Sequence, residues 1–364
     1  MKMNRIRKIN RPGRRLLWPL IFFIAFCFLL SGCGGAENQN TESSGKADVK
    51  RDDRISIGLS FDSFVIERWI RDRDVFVSKA RKLGADVNVQ NANGDVEEQI
   101  SQIRYLIDKK VNVILVVAAD CERLSGVMTE AQRKGIKTIS YDRLVLGGGS
   151  DLYLSFDNKA VGTMMAEALK EAVPEGGDIF MIQGAAEDNN VALVREGFDE
   201  EIEGSNLNIV YEANCAGWLS ELGADYVREA LAEHPDVKGI MCGNDDIASS
   251  VIRVLSEERL AGQVAVVGQD GDLAACQRIA EGTQTMTAFK PVEDLAEKAA
   301  EYAVLLAKGD SLEDLDLSGT MSDGENDVDC LLLQPVSVKK NNMKQVIIDS
   351  GYHALEEVYL NVRE

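Results

Sequence analysis

The chain has 364 residues and a mass of 39.9 kDa, a length that fits two domains of ordinary size or one large one. Hydrophobic residues make up 45% and charged residues 27% of it, which supports a substantial core and excludes an intrinsically disordered chain. With 40 basic and 60 acidic residues the formal charge is −20, so the chain would repel nucleic acid phosphates and no nucleic acid partner is expected.

The N-terminus has the organisation of an export signal. Residues 1–32 hold seven basic residues and no acidic one, which leaves 33 basic against 60 acidic residues, a charge of −27, in the rest. The apolar run 16–30 is shorter than the roughly 20 residues of a transmembrane helix but suits a signal-peptide core. It ends in Leu30-Ser31-Gly32-Cys33, which resembles the lipobox of bacterial lipoproteins and predicts lipidation of Cys33. The alternative is an ordinary signal peptide or membrane anchor with a chance cysteine.

The segment after the signal is polar and predicts a flexible tether over residues 33–53, with one valine and no aromatic residue in 36–53. The implied arrangement is an extracytoplasmic body held to a membrane by a lipid anchor. Five cysteines follow Cys33 without CxxC spacing, which argues against a disulfide framework and a zinc site. Buried thiols are favoured, and one bridged pair stays open.

From residue 55 the sequence alternates short apolar runs with amphipathic segments. The runs lie at 55–59, 87–89, 111–119, 137–141, 179–182, 207–211, 237–241 and 264–268. Between them apolar residues recur at helical spacing, as in Val96, Ile100, Ile103 and Ile107. Continuous apolar strands alternating with one-sided helices predict parallel sheets covered on both faces. The pattern therefore predicts an α/β protein with two doubly wound domains, which bind ligands at the carboxyl ends of their strands.

Polar and aromatic residues follow these runs, where such a fold binds its ligand. The first run leads into LSFDSFVIERW, which is not a phosphate-binding loop, and the two histidines are far apart, so neither a nucleotide cofactor nor a histidine metal site is predicted. Asp188, Asn189 and Asp272 fit helix-capping positions and are left out of the candidate site. The residues that remain after the runs, and that form the candidate set, are Glu67, Arg68, Trp69, Tyr141, Asp142, Arg143, Glu187, Asn190, Trp218, Asn244, Asp245, Asp246, Gln269, Asp270, Gly271, Lys290 and Pro291.

This set has the chemistry that a monosaccharide requires. Carboxylates accept hydrogen bonds from hydroxyls, guanidinium and ammonium groups donate them, and asparagine does both. The rings of Trp69 and Trp218, the two tryptophans after residue 32, can cover the apolar faces of a sugar. Each residue also has an ordinary explanation: Asp142 and Arg143 a surface ion pair, Asn244 a helix cap, Trp69 core packing. Their convergence at strand ends favours a binding site.

Several motifs, in order, resemble one family. The segment IERWIRDRDVFVSKARKLGADVNVQNANGDVEEQISQI is followed by SYDRL, LSFDNKAVG, EDNN, GW, NDD, VGQDGDLAACQRIAEGTQTM and FKP. Over roughly residues 55–355 the chain resembles the bacterial periplasmic sugar-binding proteins of the ribose-binding class, and within them the D-xylose-binding members. Residues 63–65 and 118–121 differ from the family pattern, at the predicted rim of the pocket.

The resemblance implies the periplasmic-binding-protein type I fold, in which a three-segment hinge joins two lobes and the sugar binds in the cleft. It implies a monomer that delivers the sugar to the permease subunits of an ABC transporter, with no catalytic residue or cofactor. The sugar contacts that the resemblance implies are Arg68, Trp69, Asp142, Arg143, Asn190, Trp218, Asn244, Asp270 and Lys290. The first lobe would contain residues 54–157 and 291–330 and the second 158–290 and 331–364. The hinge crossings would fall near 156–158, 289–291 and 331–335.

Three other functions share some of these features. A glycosidase would use carboxylates as acid and nucleophile, but a cationic residue accompanies each carboxylate of the set and would lower its pKa. The ligand domain of a transcription regulator shares the fold, but the export signal and the acidic body argue against it. A receptor that presents sugar to a chemotaxis or sensor-kinase partner stays open, as do glucose, arabinose, ribose and galactose as ligands.

Overall fold

The structure is a computed structural model that describes residues 54–312 and 315–362. The predicted signal peptide, the lipidation site Cys33 and the tether up to residue 53 lie outside the described residues. The described body contains two β-sheets, each covered by helices, and we call each sheet with its helices a lobe.

In the first lobe, seven strands of the described residues form one sheet. They are β1 (Ser56–Phe61), β2 (Asp86–Asn91), β3 (Val113–Val116), β4 (Lys137–Tyr141), β5 (Leu152–Phe156), β11 (Gly319–Ser322) and β12 (Asp327–Leu333). Their order is β11-β12-β5-β4-β3-β1-β2, and all neighbours pair in parallel except β11 and β12. The helices that cover this sheet are α1 (Arg68–Lys82), α2 (Val96–Asp108), α3 (Ser125–Arg133) and α9 (Val292–Lys308).

The second lobe has the same design, with six strands of the described residues in its sheet. They are β6 (Gly177–Gln183), β7 (Leu207–Asn214), β8 (Gly239–Cys242), β9 (Ala265–Asp270), β10 (Met286–Phe289) and β13 (Val336–Val338), in the order β13-β10-β9-β8-β6-β7. Only the edge strand β13 runs antiparallel to its neighbour within this described sheet. The helices are α4 (Asn158–Ala172), α5 (Asn189–Ile202), α6 (Ser220–Glu233), α7 (Asp245–Glu257), α8 (Leu273–Glu281) and α10 (Leu355–Val358), with a 3₁₀ turn at Ala216–Trp218 and a π-helical turn at Lys344–Ile348.

The α/β class with two parallel sheets, predicted from the alternation of runs and helices, is confirmed. Each of the eight predicted runs overlaps a strand, and central strands such as β3 and β4 are buried along nearly their whole length because helices cover both faces. The predicted stripe of α2 faces its sheet, with Ile103 and Ile107 buried. Within residues 54–312 and 315–362 we find no helix with the length and apolar character needed to cross a membrane.

The chain passes from one sheet to the other at three places. It leaves β5 for α4 at residues 156–158, β10 for α9 at 289–292, and β12 for β13 at 333–336. The predicted lobe boundary at residue 330 is wrong by three residues, because β12 pairs in parallel with β5 as far as Leu333 and Phe156. Residues 331–333 therefore belong to the first sheet.

Candidate functional site

The carboxyl ends of the parallel strands in both sheets meet around one cavity. Eight of the nine predicted sugar contacts line it, namely Arg68, Trp69, Asp142, Arg143, Asn190, Trp218, Asp270 and Lys290. Ile66, Asp188 and Gln269 complete the lining. All of these polar side chains are buried, so the structure brings an unusual number of charged groups out of water at one place.

Arg68 occupies one end of this cavity, at the start of α1. Its guanidinium forms a two-point contact with Asp72, at 3.3 and 3.1 Å, and its Nη1 lies 3.0 Å from Asp142 Oδ2. Asp270 Oδ1, from the second lobe, is 3.9 Å from the same nitrogen and 3.6 Å from Lys290 Nζ. Burial alone would lower the pKa of Arg68, but the three carboxylates raise it, so the guanidinium stays charged.

Arg143 lies between the two tryptophans. Its guanidinium carbon is 5.7 Å from the centre of the Trp69 ring and 5.9 Å from that of Trp218. Nη1 contacts Asp62 at 2.7 Å, and Nε contacts Asp188 of the second lobe at 2.6 Å. Two carboxylates and two aromatic rings hold this cation in one orientation. Its Nη2 atom is buried and has no hydrogen-bond partner among the described residues.

Asp142 is the carboxylate at the centre of the charge cluster. Burial raises the pKa of its carboxyl group, but the charges of Arg68, Lys290 and Arg143 lower it, and the net shift is downward. Asn190 Nδ2, from the second lobe, donates to Asp142 Oδ1 at 3.0 Å. The group is therefore an ionised hydrogen-bond acceptor at neutral pH, which suits binding of hydroxyls and not proton donation.

Three residues of the cavity have left-handed backbone conformations that side chains other than glycine rarely adopt. The φ angles are 64° at Asp142, 60° at Trp218 and 101° at Asp270. Hydrogen bonds stabilise the strained backbone at Asp142: its carbonyl accepts from the hydroxyls of Tyr153 and Ser155, at 3.0 and 2.7 Å. Strained backbone that the surrounding structure holds in place is typical of ligand sites, where it sets side-chain direction.

Several buried polar atoms of the cavity have no hydrogen-bond partner among the described residues. They include the donors Trp69 Nε1, Trp218 Nε1 and Arg143 Nη2, and the acceptor Gln269 Oε1. Unpaired buried groups cost about 1–3 kcal/mol each, so native proteins rarely leave them without a purpose. A ligand that satisfies this set must both donate and accept hydrogen bonds, as hydroxyl groups do.

The position of the Trp218 ring depends on a glycine. Trp218 ends the 3₁₀ turn after β7 and is only 8% exposed. A Cβ atom at Gly184, which directly follows β6, would lie 2.1–2.4 Å from three carbons of the indole ring. Only glycine at position 184 therefore leaves space for the ring in this position.

Asn244 is the one predicted sugar contact of the nine that does not line the cavity. It caps α7, where its Oδ1 accepts a hydrogen bond from Ile247 N at 2.9 Å. Its Nδ2 atom is buried without a hydrogen-bond partner among the described residues. The structure thus gives Asn244 the capping role that was weighed against the site role, and its contact with a ligand stays a prediction.

Two polar residues of the cavity lie outside the nine predicted sugar contacts. Asp188 was set aside as a helix cap, and it does cap α5 by accepting from Asn190 N at 2.9 Å, but its other oxygen pairs with Arg143. Gln269 is among the residues that follow the predicted runs, directly before Asp270 at the end of β9, but it is not one of the nine sugar contacts that the resemblance implies. Gln269 directly follows the predicted run 264–268, and the same kind of position identified the other residues of the site.

The other titratable residues of the described body do not form a metal or disulfide site. The five cysteines of the described body are buried free thiols, as favoured from their spacing. Among residues 54–312 and 315–362 no group of three or more His, Cys, Asp or Glu side chains is placed to hold a metal ion.

Comparisons with known proteins give consistent matches. A family model described as periplasmic binding protein domain matches residues 57–311. The chain is 40% identical over 310 residues to the D-xylose-binding periplasmic protein of Haemophilus influenzae, an alignment that covers 84% of this chain and 92% of that protein. It is also 40% identical over 309 residues to the protein of the same name from Escherichia coli K12, again covering 84% and 92%.

A solved structure shares the fold. The ABC transporter solute-binding protein of Clostridium phytofermentans with bound β-D-glucose superposes with a TM-score of 0.76 at 26% identity, covering 83% of this chain and 99% of that one.

Proposed function

Since the chain belongs to the periplasmic binding protein family, we propose that it captures a monosaccharide, D-xylose or a related aldose, between its lobes. It then delivers the sugar to the permease of an ABC transporter, the class of system named for the C. phytofermentans protein. The observation that carries this proposal is the set of unpaired buried donors and acceptors beside two indole rings. The 40% identity to two D-xylose-binding proteins supports xylose as the first ligand to test.

The cavity supports recognition by two kinds of contact. The carboxylates of Asp142 and Asp270 accept from sugar hydroxyls, while Arg143, Asn190 and the indole nitrogens donate to them. The ring faces of Trp69 and Trp218 cover the C–H faces of the sugar. Charge-assisted hydrogen bonds of this kind contribute about 1.5–3 kcal/mol each, which gives the site specificity for hydroxyl geometry.

Binding requires the lobes to open. The space enclosed by the side chains of the cavity is about 20 Å³, little more than the 10–15 Å³ or so that one water molecule needs. A monosaccharide is far larger, so the sugar takes the place of direct ion pairs such as Arg68–Asp142 and Arg68–Asp270. Hinge motion at the three crossings between the sheets gives the sugar access.

A sensory role is the second candidate. The same sugar-bound state can be presented to a chemotaxis or sensor-kinase partner, and nothing in the cavity favours transport over sensing. Glycoside hydrolysis receives less support, because the charges around Asp142 lower its pKa, and Asp188, whose pKa burial raises, is paired with Arg143. A general acid needs both a raised pKa and access to the substrate.

In a thermal-shift screen of aldoses against the full-length protein, D-xylose or a related aldose is expected to raise the melting temperature. A ligand that binds only the folded state stabilises it by about 2.7 kcal/mol at a hundredfold excess over Kd. Sugar recovered after long incubation should be unchanged and bound one to one. Product formed from sugars or aryl glycosides, or a protein that no aldose stabilises, would contradict the proposal.

The lipid anchor is a separate part of the proposal and concerns residues outside the described ones. Replacement of Cys33 by Ser is expected to release the protein from the membrane fraction or to block its processing, while Kd for the sugar stays unchanged. The lipobox motif Leu30-Ser31-Gly32-Cys33 supports this expectation. Cell fractionation with mass spectrometry of the N-terminus measures it. A Cys33→Ser protein that is still processed and membrane-bound would show that Cys33 is not lipidated.

A further inference from the structure

Residues beyond the cavity also connect the two lobes. Asn189, at the start of α5 in the second lobe, places its Oδ1 atom 2.9 Å from the backbone nitrogen of Leu144 and 3.4 Å from Sγ of Cys121. Leu144 and Cys121 belong to the first lobe and are each 1% exposed. The backbone nitrogen of Cys121 donates to the carbonyl of Glu187 at 3.1 Å. Asn189 itself does not line the cavity.

These contacts continue the ion pair between Arg143 and Asp188. Its two side chains are 3% and 4% exposed and come from different lobes. Three consecutive residues, 187–189, thus contact the first lobe through a carbonyl, a carboxylate and an amide oxygen. We call residues 187–189 with Cys121 and Leu144 the latch. Opening of the lobes breaks all of its hydrogen bonds.

We propose that Asn189 is a positioning residue that holds the lobes closed through Leu144 and Cys121 and thereby sets the affinity for sugar without touching it. The inference rests on the proposed function. Sugar enters between the open lobes, and the latch contacts form when the lobes close around it, so they stabilise the sugar-bound state relative to the open one. Removal of the Asn189 side chain therefore weakens closure and raises Kd for every sugar by the same factor.

The first test compares sugar binding by full-length wild-type protein and the variant Asn189→Ala, with D-xylose and D-glucose as probes in titration calorimetry. Loss of one half-buried hydrogen-bond acceptor predicts a rise in Kd of roughly three- to tenfold for any sugar that binds, with the ratio between sugars unchanged. Asn208→Ala, at an exposed position of β7 in the same lobe, is the matched control and should leave Kd unchanged. A changed ratio between sugars would overturn the proposal, because it would place Asn189 in contact with the ligand.

The second test needs no sugar and reads the latch directly. The Cys121 thiol is buried, and burial raises its pKa to about 12, so closed lobes suppress its alkylation. In sugar-free protein, N-ethylmaleimide should modify Cys121 several times faster in Asn189→Ala than in wild type, as followed by mass spectrometry. Cys242, 0% exposed inside the second lobe, reports unfolding and should react equally slowly in both.

The outcomes separate the two proposals. Equal alkylation of Cys121 in wild type and variant, or a parallel rise at Cys121 and Cys242, would overturn the latch. Wild-type protein that binds no aldose would contradict the proposed function, while the alkylation rates would still measure closure of the lobes.

Discussion

Replacement of Asp142 by Asn is expected to weaken sugar binding roughly ten- to a hundredfold, because it removes the charge from a buried hydrogen-bond acceptor. The change keeps the size of the side chain, and asparagine tolerates the left-handed φ of 64° at this position. Arg68 keeps its two-point contact with Asp72 in the variant, so its own position should hold. The variant is therefore expected to lose sugar affinity and to keep most of its folding stability.

Titration calorimetry with D-xylose, paired with melting of the sugar-free protein, measures both effects. Asp86→Asn is the matched control: Asp86 lies 3.4 Å from Arg54 in an ion pair that is 60% exposed on both sides, and exposed pairs contribute at most about 1 kcal/mol. Asp86→Asn should bind sugar as the wild type does. An Asp142→Asn protein with unchanged Kd would mean that Asp142 only balances the charge of Arg68.

Burial explains only some of the strands that could be predicted from the sequence, because the buried β5 and β10 had no predicted run while the partly exposed β2 and β7 had one. β3 and β4 are apolar because helices cover both sheet faces, so they appear as runs without any knowledge of the fold. β11 is mostly exposed and β12 carries Asp327 and Asp329, because each lies at or near an edge of the first sheet. Such strands form because a neighbouring strand offers hydrogen bonds. Their own residues do not form an apolar run from which a strand could be predicted.

The candidate site could be predicted to a similar extent and for a related reason. Polar residues after apolar runs identified Asp142 and Asp270, because the carboxyl ends of parallel strands share one edge of a sheet. Asp188 was excluded because a capping position explained it, yet its second oxygen is free to pair with Arg143 across the lobes. Contacts between lobes depend on how two separately folded sheets meet, which periodicity along one chain does not encode.

There was also no sign in the sequence that Gly184 leaves space for the Trp218 ring. Substitution of this glycine has the largest expected effect on sugar binding. In a Gly184→Ala variant the new Cβ would lie 2.1–2.4 Å from the Trp218 ring, too close for any side chain to tolerate without movement. The φ of Gly184 is not in the left-handed region, so the backbone accepts alanine and the contact alone forces the change. The indole, which lines the cavity, must shift and alter the surface that faces the ligand.

We expect Gly184→Ala to reduce sugar affinity by about a hundredfold or more, and to lower the free energy of unfolding by about 1–3 kcal/mol through overpacking. Gly126→Ala is the matched control: apart from its chain neighbours and the backbone of its own helix, α3, no atom lies within 4 Å of the new Cβ. Alanine stabilises a helix by about 0.5–1 kcal/mol relative to glycine. In a Trp218→Ala background the same Gly184→Ala change should cost little further affinity, since the ring it displaces is gone. If Gly184→Ala weakens binding equally with and without Trp218, the loss of affinity does not act through the indole ring. Gly184 would then have no effect on the ligand through the position of Trp218.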